Sequence, residues 1–155
     1  MYNLPALQRR LNKQAGVIKP YTNTLCKIYK IRSLVKMEYS KKQIAELFSN
    51  GKFEEIIGFL SEGIVWNVVG EKTYKGKKTV TENCQQTAEY FKSVQADFIT
   101  DEVIVSENKV IVIGTAEFKR NGKRVNYISS CDIYVFNNKN EIEKISSYCI
   151  PDKQA

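Results

Sequence analysis

From Ser40 onward the apolar positions change period three times, and the order of those changes is the first structural signal in the chain. Ser40 to Asn50 opens with Ser40 and, three residues later, Gln43, the spacing of a capping box, and sets Ile44, Leu47 and Phe48 on one face before Gly51. Phe53 to Leu60 repeats the pattern with Phe53, Ile56, Ile57 and Leu60, and Gly63 lies beyond its end. Ile64 to Val69 is β-branched and stops at Gly70, so it reads as a strand with Trp66 in its middle. A basic, glycine-containing loop, Glu71 to Lys78, then leads to a third helix that runs to about Val94, with Thr79 and Glu82 as its capping box and Val80, Cys84, Ala88 and Phe91 on its buried face.

The rest alternates with a period of two. Strands are expected over Gln95 to Ser106, Lys109 to Arg120, Lys123 to Phe136 and Glu141 to Ile150. The turns between them are Glu107-Asn108, Asn121-Gly122 and Asn137 to Asn140, and Asn-Gly between apolar runs is a strong hairpin signal. Helices that precede a run of antiparallel strands pack onto one face of the resulting sheet. The expected architecture is therefore α+β, a cone-shaped curved antiparallel sheet wrapped around three N-terminal helices, with a small-molecule pocket between the layers.

If Asn121-Gly122 is a two-residue hairpin loop, its register pairs Asp132 with Ile111 and Ser130 with Ile113. Alternation then groups Ser130, Asp132 and Tyr134 on one face, with Cys131, Ile133 and Val135 on the other. A carboxyl on a helix-covered face is desolvated, which raises its pKa and equips it to donate a hydrogen bond at neutral pH. Asp132 is accordingly the leading candidate for chemistry, weighed against a structural carboxylate satisfied by an amide or a tyrosine. Trp66, Phe91, Tyr134 and Tyr148 are candidate pocket walls, and Tyr74 is a candidate gate at the pocket mouth.

Apolar residues on both faces of the central strands, as in Val110-Ile111-Val112-Ile113, leave one face without helices to cover it. A second copy packed sheet to sheet covers it, so a homodimer is expected.

At 155 residues the chain accommodates one core and a tail. Its net charge of +7 is unevenly placed: residues 1–36 hold eight of the 24 basic residues and none of the 17 acidic ones, which leaves 16 against 17 for residues 37–155. Residues 1–36 read as a basic, poorly packed extension, either an inert tail or sequence upstream of a natural start at Met37. A tether to an anionic surface or a targeting peptide are the functional alternatives, and binding of nucleic acid or membrane through this tail ranks last because the body carries no basic excess. Lys72, Lys75, Lys77 and Lys78 form a local cluster that reads as a solvated loop, or as an attractor for a carboxylate or phosphate at the pocket mouth.

Four cysteines without CxxC spacing favour reduced thiols and a cytoplasmic location. No run reaches the roughly 18 apolar residues of a membrane span. Histidine is absent, which removes Ser-His-Asp and Cys-His nucleophile systems and histidine zinc sites from this chain. No P-loop, GxGxxG or metal-ligand cluster is present, so neither cofactor nor metal is expected.

Asn50-Gly51, Val65 to Gly70, the helix start at Gly76 to Glu82 and Asp132-Ile133-Tyr134-Val135-Phe136 together resemble the nuclear transport factor 2-like superfamily, in its SnoaL-like and ketosteroid-isomerase-like branch, over about Ser40 to Ile150. The resemblance implies a cystatin-like cone and a cavity for a small hydrophobic or amphipathic molecule. It implies isomerase, cyclase, dehydratase or hydrolase chemistry on an unassigned substrate, or no catalysis at all. Carried over residue by residue, the isomerases' basic aspartate falls on Asn67, which cannot take up a proton. Their oxyanion-hole tyrosine falls on Ile44, and their protonated aspartate on Asp132. Asp132 with Asn67 is then the candidate catalytic pair, positioning a water in the manner of the epoxide-hydrolase branch, whose arginine has no well-placed counterpart because Arg124 lies next to the hairpin turn. The competing implication is a non-catalytic dimeric accessory domain whose cavity is filled by its own side chains.

Overall fold

The computed structural model describes residues 39–152, and the basic segment 1–36 lies outside them. Helix α1 spans Lys41–Ser49, α2 Phe53–Ile56 and α3 Lys77–Lys92. The strands are β1 Leu60–Val68, β2 Lys72–Lys75, β3 Gln95–Ser106, β4 Lys109–Arg120, β5 Lys123–Phe136 and β6 Ile142–Pro151. They form one sheet in the order β2-β1-β6-β5-β4-β3, antiparallel throughout except between β1 and β6, which run parallel. The expected α+β fold is present, with that parallel pair as its departure from an all-antiparallel sheet. It arises because β1 is separated from its neighbour β6 by the rest of the domain.

The Ser40 capping box forms as its spacing predicts. The Gln43 amide donates to Ser40 Oγ at 3.3 Å and the Ser40 amide to Gln43 Oε1 at 2.9 Å. At the other end the Lys52 amide closes on the Leu47 carbonyl at 2.8 Å, while Gly51 adopts φ 72°. A side chain at Gly51 would also press into the Phe91 ring. These two ends fix the rotation of α1, which buries Ile44, Ala45 and Phe48 against the sheet.

Three expectations are corrected. The second helix stops at Ile56, continues as a single 3₁₀ turn over Ile57–Phe59, and Leu60 already belongs to β1. The third helix begins at Lys77 behind Gly76, whose φ of 83° suits glycine, so no Thr79–Glu82 capping box forms. The expected loop after Gly70 holds a short strand, β2, which pairs with β1 through Trp66↔Tyr74 and Asn67↔Thr73. Four residues rich in lysine carry too little periodicity to show as a strand in sequence.

The β4–β5 register differs from expectation by one residue. Asn121 and Gly122, with φ of 52° and 73°, form the predicted tight turn and Lys119 faces Arg124. The ladder then shifts between Phe118 and Lys119, where Val125 is the extra residue of a bulge. Asp132 consequently pairs with Val112, and Ser130 with Gly114, in place of Ile111 and Ile113. Along β4, Val110, Val112 and Phe118 face the helices, each at most 4% exposed, and Ile111 and Ile113 face the other way; the bulge in β5 brings Asp132 onto the face of Val112.

A second irregularity sits between Thr100 and Glu102 in β3, opposite Gly114. A Cβ at Gly114 would collide with the Ile99 carbonyl oxygen, so the close approach of β3 requires glycine here. Gly114→Ala is expected to destabilise the protein by about 2–3 kcal/mol, whereas Gly63→Ala, whose added carbon meets nothing within 4 Å, changes stability by less than about 0.5 kcal/mol. Chemical denaturation of the two variants checks this; equal midpoints would contradict the close approach.

Candidate functional site

The inner face of the sheet carries two rows of side chains that meet under α1. From β5 come Tyr134 and Asp132; from β6, Ile145 and Ser147; from β1, Trp66, in register with Ile145. Tyr134 and Ile145 are fully buried, and Asp132, Ser147 and Trp66 are at most 8% exposed. The ring of Phe48, projecting from α1, sits edge-on to Trp66 at 5.1 Å and to Tyr134 at 5.7 Å. Tyr74 lies 5.6 Å from Trp66 across the β1–β2 pair. Edge-to-face pairs of this kind contribute about 0.5–1.5 kcal/mol each beyond their area, which makes the aromatic wall stiff.

Into this apolar surrounding the sequence places one carboxyl. Asp132 Oδ2 accepts a hydrogen bond from Ser49 Oγ at 3.0 Å, and Ser49 Oγ lies 2.7 Å from the Tyr134 hydroxyl. Ser147, the cross-strand partner of Asp132, also hydrogen-bonds the carboxyl, and Ser147 Oγ accepts from Trp66 Nε1 at 3.0 Å. Burial raises the Asp132 pKa above the usual carboxylate range, and the hydrogen bonds from Ser147 and Ser49 oppose that rise. The direction is the one expected from its place on the helix-covered face. Among the described residues no salt bridge reaches Asp132.

Neighbouring groups share the effect. Tyr134 is pushed well above its ordinary value, by burial first and the Asp132 charge second. Cys149, exposed as a residue at the sheet's end but on the inner face opposite Ser130, has its thiol pushed up to about 12 by burial, then by Asp132 and Glu71. Tyr74 is raised by burial and by Glu71. The negative charges of Asp132 and Glu71 thus act on the same stretch of inner face.

Of the candidates drawn from sequence, Asp132, Trp66, Tyr134 and Tyr74 converge here. Phe91 stands apart from them in an aromatic stack with Phe53 at 6.2 Å and Phe118 at 5.6 Å, joined by Phe98 at 5.1 Å. Asn67 and Tyr148 are on the other side of the sheet. Asn67 follows inward-facing Trp66 by one residue, so alternation turns it outward, where its Oδ1 accepts from Thr73 Oγ1 at 2.9 Å. Tyr148 pairs with Cys131 on the outer face and is 43% exposed. Asn67 therefore cannot share a water with Asp132. Sequence reasoning missed Ser49 and Ser147: Ser147 has a period-two signal, two residues beyond Ile145, but Ser49 shows only once the rotation of α1 is known.

A cleft between α2 and α3, about 50 Å³ in volume and lined by Phe53, Ile57, Cys84 and Ala88 among others, lies away from this carboxyl. It holds little more than a water molecule or two.

The SnoaL-like domain matches residues 42–145. An NTF2-like protein of unknown function from Cytophaga hutchinsonii is 35% identical, with a TM-score of 0.63 over 69% of this chain and 93% of that one. An LEH-like epoxide hydrolase from M. tuberculosis (14% identity, TM-score 0.57, covering 71% of this chain and 82% of its own) shares the fold. So does a putative SnoaL-like polyketide cyclase from Shewanella putrefaciens (15% identity, TM-score 0.55, 72% and 91%). No curated protein matches the chain. With most of the domain matched in sequence and in structure, the chain belongs to the SnoaL-like family of the nuclear transport factor 2-like superfamily.

Proposed function

We propose that this protein binds a small, largely apolar molecule on the inner face of its sheet, with Asp132 as the polar anchor and Trp66, Tyr74 and Tyr134 as its aromatic surroundings. The observation that carries the reading is an almost fully buried carboxyl with two hydroxyl donors and no ion pair among the described residues. Such a group costs stability in the free protein, and groups of that kind gather where a ligand compensates them. The SnoaL-like fold, whose neighbours include an epoxide hydrolase and a putative polyketide cyclase, supports a small-molecule ligand. Any turnover would be cofactor-independent and run through Asp132, with Asn67 excluded from the same pocket by its outward orientation. A second reading, an accessory domain whose interior is filled, draws support from Phe48, which packs directly onto both Trp66 and Tyr134.

The two readings differ in what Asp132→Asn does. Because burial raises the folded-state pKa above the unfolded value, folding favours the protonated carboxyl. Stability from this group is complete below the unfolded pKa of about 3.9 and is lost as the pH rises through the folded value. Asp132→Asn is therefore expected to raise Tm by a few degrees at pH 7, with the gain shrinking on acidification toward pH 4. In a thermal-shift screen of steroids, polyketide fragments, terpenoids and small acids, wild type is expected to give stabilising hits that the more stable variant loses. A variant that melts lower than wild type at pH 7, with no hit on either protein, would mark Asp132 as a structural carboxylate in a filled interior.

The outer face supports a homodimer in the same reading. Ile99, Ile104, Tyr148 and Ile150 are each more than 40% exposed there, beside Ile111, Ile113 and Ile133. Sedimentation velocity at micromolar concentration is expected to show a dimer that Tyr148→Arg converts to monomer with Tm little changed; a monomeric wild type would contradict it. Cys84, Cys131 and Cys149 are unpaired, which suits a reducing compartment such as the cytoplasm. No helix among the described residues is long and apolar enough to cross a membrane.

A further inference from the structure

The hydrogen bonds around Asp132 have a fixed direction, and that direction selects the ligand's chemistry. An indole N–H has no acceptor, so Trp66 must give its proton to Ser147 Oγ, at 3.0 Å. The Ser147 hydroxyl proton is then free to go to Asp132, its partner across the β5–β6 ladder. On the other side Ser49 donates to Asp132 Oδ2 at 3.0 Å, and a hydroxyl has one proton. The 2.7 Å contact between Ser49 and Tyr134 is therefore Tyr134 donating to Ser49. Two chains result, Trp66 to Ser147 to Asp132 and Tyr134 to Ser49 to Asp132, and both end on the carboxyl as acceptor.

In its ionised form Asp132 offers roughly four lone-pair sites, of which these chains address two. What approaches the remaining sites of that form must donate. We propose that the ligand of this site presents a hydrogen-bond donor to Asp132, an ammonium or a hydroxyl on an apolar skeleton, and not a carbonyl or a carboxylate. The inference rests on the reading of Asp132 as a ligand anchor, and it gives the carboxyl the opposite polarity to the donor role implied by the isomerase resemblance.

The charges facing this position agree with it. Tyr134 on β5 and Cys149 on β6 are held above their ordinary values, so they are neutral at pH 7 and bring no charge. Glu71, in the turn after β1, adds a second negative charge that acts on Cys149 and Tyr74. Ser49 from α1, Val112 from β4 and Trp66 from β1 carry none. Lys72, on the same face of β2 as Tyr74, rests its ammonium over the Tyr74 ring, 4.9 Å from the centroid, and makes no salt bridge to Asp132. Lys72 thus places its own positive charge on the Tyr74 ring and not on Asp132. Trp66 and Tyr134 are positioning residues in this arrangement, acting on Asp132 through the two serines.

The test uses the full chain and one aryl skeleton with three head groups: 2-phenylethylamine, 2-phenylethanol and phenylacetate, with acetophenone as a neutral acceptor. Calorimetric titration at pH 7 is expected to rank amine above alcohol above acceptor, with at least a tenfold gap between amine and phenylacetate. Amine affinity rises with pH through the folded-state pKa of Asp132, and Asp132→Asn abolishes the ranking. Trp66→Phe keeps the ring but releases Ser147 from its fixed polarity, so it narrows the gap without abolishing binding. Tighter binding of phenylacetate or acetophenone that depends on Asp132 and strengthens on acidification would overturn the donor rule while leaving the anchor reading intact. Binding that is equal across the set, or absent, and indifferent to Asp132→Asn would overturn both.

Discussion

A carboxyl held out of water by a helix and two strands is the constraint on which the rest of this structure turns. Asp132 cannot be accommodated by apolar neighbours alone, because an unsatisfied buried carboxylate costs several kcal/mol. Ser49 reaches it from the last turn of α1 and Ser147 from β6, so the helix and the sheet are joined through this group. The rotation of α1 is in turn set by the Ser40 capping box at one end and the left-handed Gly51 at the other. A local sequence signal at residues 40–51 thereby decides whether a side chain 83 positions away from Ser49 finds its hydrogen bond.

The same group separates what the sequence discloses from what it hides. The order of elements apart from β2, the Asn121-Gly122 hairpin, the capping box of α1 and the common face of Ser130, Asp132 and Tyr134 all follow from local rules of spacing and alternation, and the structure contains them. The identity of Asp132's cross-strand neighbour does not follow, because one extra residue at Val125 moves the whole ladder beyond the turn by one position. Nothing in the composition of Lys123 to Val125 announces a bulge. Asn67 shows the limit of resemblance: a position matched along the chain to a catalytic residue can face away from the pocket, since one residue of offset in a strand reverses the side chain. Ser49 and Ser147, ordinary in sequence, acquire their meaning only from tertiary register.

Membership of the SnoaL-like family accounts for the cone and leaves its chemistry open, as is usual when one scaffold serves many sites. In this chain the inner face carries a buried carboxyl, and the polar groups that surround it are hydroxyls and an indole rather than cations. The directionality of those donors makes the ionised Asp132 a terminus for protons coming from the protein. The aromatic surroundings, with Phe48 packed edge-on to Trp66 and Tyr134, hold that arrangement in place.

The central claim is that Asp132 is a destabilised carboxylate kept for a ligand, and its own titration in the folded protein measures this most directly. Carboxyl ¹³C NMR of selectively labelled protein, read against Asp132→Asn for assignment, is predicted to give a pKa above the ordinary aspartate value of about 3.9, falling when an amine ligand is added. A value at or below 3.9, unmoved by any ligand, would show the carboxyl to be a well-satisfied structural group and would contradict the account.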